Sequence, residues 1–374
     1  MERELQASVL RAFGASEGEI GELLAYNENV FDIGSLRPET RFPLPDEPFV
    51  DFWWPLADAA RERGAFAVLR ESLPQLSFPI REGISATAGY RAATRNGVPV
   101  ETLPEATGLD LEEPDAIELV LHPSAAGRIP LLIARSRGVF VTLVQALTKK
   151  NEPVPIPASQ GALMVSGYNN WSRIRELRRA WEAREATRRE TATWSEEFAR
   201  ITPHRELYQD RFILLSDGPY SAVPAADLGL DTAAWKEMSL VIRREHECTH
   251  YFTRRLFGSM RNNLLDELIA DYAGITAAAG SFRAGWCMRF LSARLDIYRG
   301  KPPLSDGAFR VLQALVAAAA ESLERFDGQH PAPSSSREKA LRIASLATLR
   351  LEELASPDAP DRLEQAWSAV SRST

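Results

Sequence analysis

Two of the five histidines in this 374-residue chain, His246 and His250, stand four residues apart in a segment whose apolar residues recur at helical steps. At 3.6 residues per turn, positions i and i+4 lie one above the other, so a helix here puts both imidazoles on one face. The flanking residues support a helix. Asp231 can cap one that runs through Trp235, Met238 and Val241 to about Gly258. Asn263 can cap the next, with Asp266 at its third position and Gly280 at its end. Further helical patterns cover 283–298, 306–326, 337–355 and 360–371, and a Pro- and Ser-rich loop fills 328–336.

The first half of the chain reads differently. Residues 1–45 look like one short helix and a Pro- and acid-rich segment, and 59–71 and 85–95 read as helices. Apolar runs at 117–121, 129–133, 162–165 and 211–216 read as strands. The segment 152–157, with Pro at every second position, must be extended and marks a boundary. The expectation is an α+β protein: a mixed α/β domain of unknown role over 1–160 and a mainly helical domain over 161–374. Between 170 and 200, Arg173, Arg175, Arg178, Arg179, Arg184, Arg188 and Arg189 alternate with Glu176, Glu182, Glu185 and Glu190. That mixture of signs reads as a solvated, salt-bridged helix face.

The histidine pair carries the chemistry. Glu247 follows the first histidine, so the string is His246-Glu247-x-x-His250, the HExxH pattern of zinc metallopeptidases. Both imidazoles can reach one zinc ion, and Glu247, one step further round the helix, can act as general base on a metal-bound water. An open zinc site needs a third protein ligand. Glu267 lies seventeen residues beyond His250, with Asp271 four residues later. Here the chain resembles the gluzincins, the thermolysin-like zinc metallopeptidases, over residues 243–274. The resemblance implies Zn²⁺ held by His246, His250 and Glu267, with Asp271 accepting the free ring N–H of a ligand histidine. It also implies peptide or amide hydrolysis with Glu247 moving the proton, and a strand upstream of the metal helix, here 211–216, pairing with an extended substrate. Arg243 and Arg244 stand where that family usually has uncharged residues. The second donor to a tetrahedral oxyanion stays open among Tyr220, Tyr251, Tyr272, His204 and His330, Tyr220 and Tyr272 being the nominees.

Composition limits the alternatives. With 45% hydrophobic and 25% charged residues the chain is globular, and its net charge of −7 disfavours nucleic acid as a partner. No apolar N-terminal region marks a secretory signal, and the longest apolar stretch, 311–320, falls short of the ~20 residues that span a bilayer. Two cysteines make no disulfide framework, so the expected address is the cytoplasm, with no membrane partner. Cys248 points about 200° away from His246 on the helix and is expected to be a small buried residue, not a ligand. A di-iron site would need a second Glu-x-x-His, and no phosphate-binding glycine motif is present. A narrow, dedicated peptide or amide substrate is the favoured reading. The rivals are an inactive interaction or scaffold protein on a metallopeptidase-like fold, and a zinc enzyme acting on a small biosynthetic amide or ester. Oligomeric state is left open.

Overall fold

In the computed structural model, which describes residues 2–188, 193–261 and 263–373, the chain opens with α1 (Glu2–Ala12) and α2 (Glu17–Tyr26). The pattern predicts one helix there. Two form because Glu19 Oε2 accepts from both the amide and the hydroxyl of Ser16, at 2.7 and 2.8 Å, and starts a new helix. Likewise 59–71 is divided between α3 (Val50–Arg63) and α4 (Ala65–Ser72) by Gly64, whose φ of 82° ends the first helix. α5 (Ala88–Asn96) is capped by Thr87, whose hydroxyl accepts from the Tyr90 amide.

Four strands follow: β1 (Ile117–Ser124), β2 (Gly127–Ala134), β3 (Ala162–Asn169) and β4 (Gln209–Ser216), paired in the order β1-β2-β4-β3. Between them lie α6 (Arg137–Thr148), α7 (Trp171–Arg188) and α8 (Trp194–Ile201). The Val139-Phe140-Val141-Thr142 run gives α6 no helical signature, since β-branched residues disfavour helix. Burial overrides that: the Ser136 hydroxyl caps the helix, and Phe140, Leu143, Val144 and Leu147 join the core over the sheet.

β4 is a central strand, which corrects the expectation that 211–216 is an edge open to a peptide. It runs parallel to β2, with Leu131 opposite Ile213, and antiparallel to β3, with Met164 opposite Ile213. Both rows of its backbone groups are taken, and Phe212 to Leu215 are fully buried, as a strand covered on both faces requires. The same pairing explains the domain layout. β3 and β4 depend on strands that precede the Pro-rich segment, so the chain does not divide at 160. One compact unit is Asp46–Pro123 with Arg128–Asp217; the other is Met1–Pro45, Ser124–Gly127 and Gly218–Thr374.

The charged segment after 170 also departs from its reading. Arg173 is buried, with Nη1 2.5 Å from Asp210 Oδ1. Asp210 is fully buried, and its other oxygen accepts from Trp53 Nε1 at 2.9 Å and Asn170 Nδ2 at 2.6 Å. Arg178 and Glu182 keep the expected exposed i,i+4 pair, while Arg189 and Glu190 lie outside the described residues.

The second unit is helical: α9 (Thr232–Phe257), α10 (Leu264–Ala279), α11 (Ala284–Ser292), α12 (Asp306–Gln329), α13 (Ser336–Ala347), α14 (Leu351–Ala355) and α15 (Ala359–Ser373) join α1 and α2. Leu312, Leu315, Leu323, Leu341 and Leu354 bury their apolar faces together with those of α9 and α10. The fold class is therefore α+β, with the sheet in the N-terminal half and a mainly helical C-terminal half. Among the described residues no helix is long and apolar enough to cross a membrane.

Candidate metal centre

Asp231 starts α9 as expected, its carboxylate accepting from the amides of Ala233 and Ala234 at 2.9 and 3.0 Å. One face of this helix holds a strap, residues 218–223, in place. Trp235 Nε1 donates to the Val223 carbonyl, Ser239 Oγ accepts from the Tyr220 amide, and Arg243 Nη2 donates to the carbonyls of Gly218 and Pro219. Positions 235, 239 and 243 are successive turns of one stripe. Arg243 is thus buried and satisfied by carbonyls, so a charge ahead of the first histidine is compatible with a buried turn.

α10 returns antiparallel to α9. Glu267, Asp271 and Gly274 fall at i, i+4 and i+7 on its inner face, opposite His250, His246 and Ile242. Gly274 sets the separation: a Cβ there would lie 2.6 Å from the Ile242 carbonyl oxygen, closer than packing allows. Asn263 stands at the N-cap, but its side chain does not cap. At φ 52° its Nδ2 donates instead to the Tyr26 carbonyl at 2.8 Å.

The facing stripes bring His246, His250 and Glu267 together. The two Nε2 atoms are 3.1 Å apart, and Glu267 offers Oε2 at 3.6 Å from His246 Nε2 and Oε1 at 3.5 Å from His250 Nε2. Ligands at 2.0–2.1 Å from a tetrahedral ion sit about 3.3 Å from one another. These spacings and the donor set of two nitrogens and one carboxylate oxygen fit a divalent metal ion. Glu267 Oε2 is buried and meets two nitrogens without a well-formed hydrogen bond, Arg294 Nη1 at 3.2 Å and His246 Nε2 at 3.6 Å.

Asp271 lies behind the first histidine. Its Oδ1 is 2.8 Å from His246 Nδ1, which directs the lone pair of Nε2 toward the centre when the proton sits on Nδ1. Tyr220 joins behind the same ring, its hydroxyl donating to Asp271 Oδ1 at 2.6 Å and lying 2.9 Å from His246 Nδ1. This places Tyr220 buried against Nδ1 of His246, whereas Nε2 of that ring faces His250 and Glu267.

Two groups in the centre have no sequence signature. The 283–298 helix stops at Ser292, and the chain turns through a short 3-10 segment, Leu295–Tyr298. That break brings Arg294 Nη2 to 3.0 Å from Asp271 Oδ2 and Nη1 to 3.2 Å from Glu267 Oε2, while the Tyr298 hydroxyl lies against Glu267. Burial alone would raise both carboxyl groups. Arg294 and the histidines overcome it and hold Glu267 and Asp271 below the ordinary range, that is, ionised. Burial alone would lower His250, but the hydrogen bond and charge of Glu267, with Glu247 and Asp266, raise it to about 9.

The family model that matches residues 8–358 is described as a family of unknown function, DUF7005. The chain belongs to DUF7005. No curated protein and no solved structure matches it. The matched span reaches into both compact units and includes His246, His250, Glu267, Asp271 and Arg294.

The remaining nominees for an oxyanion donor lie elsewhere in the DUF7005 chain. Tyr272 points from the other side of α10, its hydroxyl donating to Asp327 at 2.6 Å and accepting from Arg342 at 2.9 Å. On a helix, the residue after Asp271 turns about 100° away, which is why it misses the centre. Tyr251 is buried beneath Arg255, His204 is exposed beside Glu206, and His330 ends α12 against Glu364. Cys248 is buried as expected, and burial pushes its thiol up.

Gly274→Ala is expected to destabilise the fold by about 1–3 kcal/mol through overpacking. If the centre holds zinc, moving α10 off the histidines should also weaken that binding about tenfold or more, as loss of support around a ligand does. Denaturant unfolding and competition with a chromophoric chelator measure the two effects; no change in either would show that the close approach at Ile242 does not hold the centre together.

Proposed function

We propose that the protein is a zinc-dependent hydrolase of the gluzincin type that cleaves a peptide or small amide bond, with His246, His250 and Glu267 holding the metal and Glu247 as general base. The observation that carries this reading is the convergence of the three ligand atoms from two facing helices, with Asp271 behind His246. A zinc ion held there supplies a Lewis acid and makes water acidic enough to be activated near neutral pH. The chain's own residues do the rest. Asp271 and Tyr220 fix the ring of His246 through Nδ1, and Arg294 keeps both carboxylates charged. Glu247 is half-buried, and among the described residues its carboxylate takes no hydrogen bond. It is therefore free to take the proton of the attacking water and pass it to the leaving amine.

The test is a screen of the zinc-loaded protein against a peptide library and a panel of small amides and esters. Cleavage that disappears on chelation and returns with zinc supports the reading, and the responding class separates peptide from small-molecule chemistry. Full zinc occupancy with no turnover on any class would favour an interaction protein that kept the metal.

A further inference from the structure

Away from the metal centre, a cavity of about 470 Å³ opens between α1, α12, α14 and the start of α15, all within the helical unit. That volume is in the range of small-molecule sites, roughly 300–1,000 Å³. Leu5, Val9, Phe13, Ala318 and Ala355 supply an apolar wall.

Two polar side chains more than nine-tenths buried line it. Glu352 is 1% exposed: its Oε1 accepts from Asn27 Nδ2 at 2.8 Å, but its buried Oε2 has no hydrogen-bond partner. Gln6, 7% exposed, also lines the cavity. Buried polar atoms are normally paired, so the carboxylate oxygen left unused beside this cavity points to a missing partner. An ionised carboxylate only accepts, so that partner must bring donors.

Charge narrows the choice. Glu321, Glu352, Glu353 and Asp358 line the cavity against only Arg325 and Arg362. Arg362 is committed to Glu353 at 2.8 Å, and Arg325 donates to the Ser322 hydroxyl at 2.9 Å. The surplus of carboxylates favours a cation and repels an acid. We propose that this cavity binds a small amphiphilic primary amine, its carbon chain among Leu5, Val9, Phe13 and Ala355 and its ammonium group on Glu352 Oε2, beside the Gln6 amide.

The probes are n-hexylamine and 2-phenylethylamine, with 1-hexanol and hexanoate as matched controls, titrated into the full-length protein and followed by calorimetry and by amide chemical shifts. Saturable binding of the amines is expected, at least about tenfold tighter than 1-hexanol, with no binding of hexanoate. The isosteric Glu352→Gln should weaken the amines at least about tenfold, the loss of a charge-assisted hydrogen bond. Ala318→Phe, which fills the cavity, should abolish binding, and neither variant should change zinc content. If Ala318→Phe does not fold, as judged by circular dichroism, Glu352→Gln decides alone. Amines binding no tighter than the alcohol, equal amine affinity in Glu352→Gln, or no saturable binding of any probe would overturn the proposal.

Discussion

Glu247→Gln is expected to slow hydrolysis of any substrate found for this protein by about 10²–10⁴-fold, the usual contribution of a positioned general base. The substitution keeps the size of the side chain and removes only its ability to accept and return a proton. His246, His250 and Glu267 are untouched, so zinc content and melting temperature should stay at wild-type values. The loss should fall on kcat, because the proton moves in the transition state and not in the bound ground state. Steady-state kinetics of the two zinc-loaded proteins measure it. Turnover within a few-fold of wild type would remove Glu247 as the base.

Arg173→Ala is expected to cost about 3–5 kcal/mol of stability, because removing one partner of a buried ion pair strands the other. Asp210 is fully buried and surrounded by three donor side chains: Trp53 of α3, Asn170 just ahead of α7, and Arg173 of α7. Burial raises its pKa despite those bonds, so it is already held against a desolvation cost. Without the guanidinium that cost is opposed only by two neutral donors. Urea unfolding followed by circular dichroism reads the change. A loss below about 1 kcal/mol, the value of an exposed pair, would show that Asp210 is not buried as described.

The candidate centre and the buried Arg173–Asp210 pair differ in how much of each can be read from the chain. The convergence of His246, His250, Glu267 and Asp271 is legible because their placement is set by helical spacing along two helices, and local spacing survives folding. The mainly helical second half is legible for the same reason. Arg294 and Tyr298 are not, since they enter the centre only because the helix stops at Ser292, a break decided by packing against distant residues. Gly274 could have been noticed: a glycine at i+7 from one predicted ligand and i+3 from its partner lies on the face that must approach α9. The position of β4 is different in kind. A run of apolar residues reads the same at an edge or in the middle of a sheet, and only the pairing of 117–134 and 162–169 decides which it is. Arg173 looks like its exposed neighbours because the residue that buries it is thirty-seven positions away.

Zinc content by elemental analysis, after reconstitution and removal of loosely bound metal, tests the central claim most directly. One zinc per chain is expected in the wild type and in Glu247→Gln, and none in His246→Ala, which removes a ligand that the facing carboxylates cannot replace. No zinc in the wild type, or one zinc retained in His246→Ala, would contradict the metal centre and leave the two facing helices as a scaffold for binding another protein.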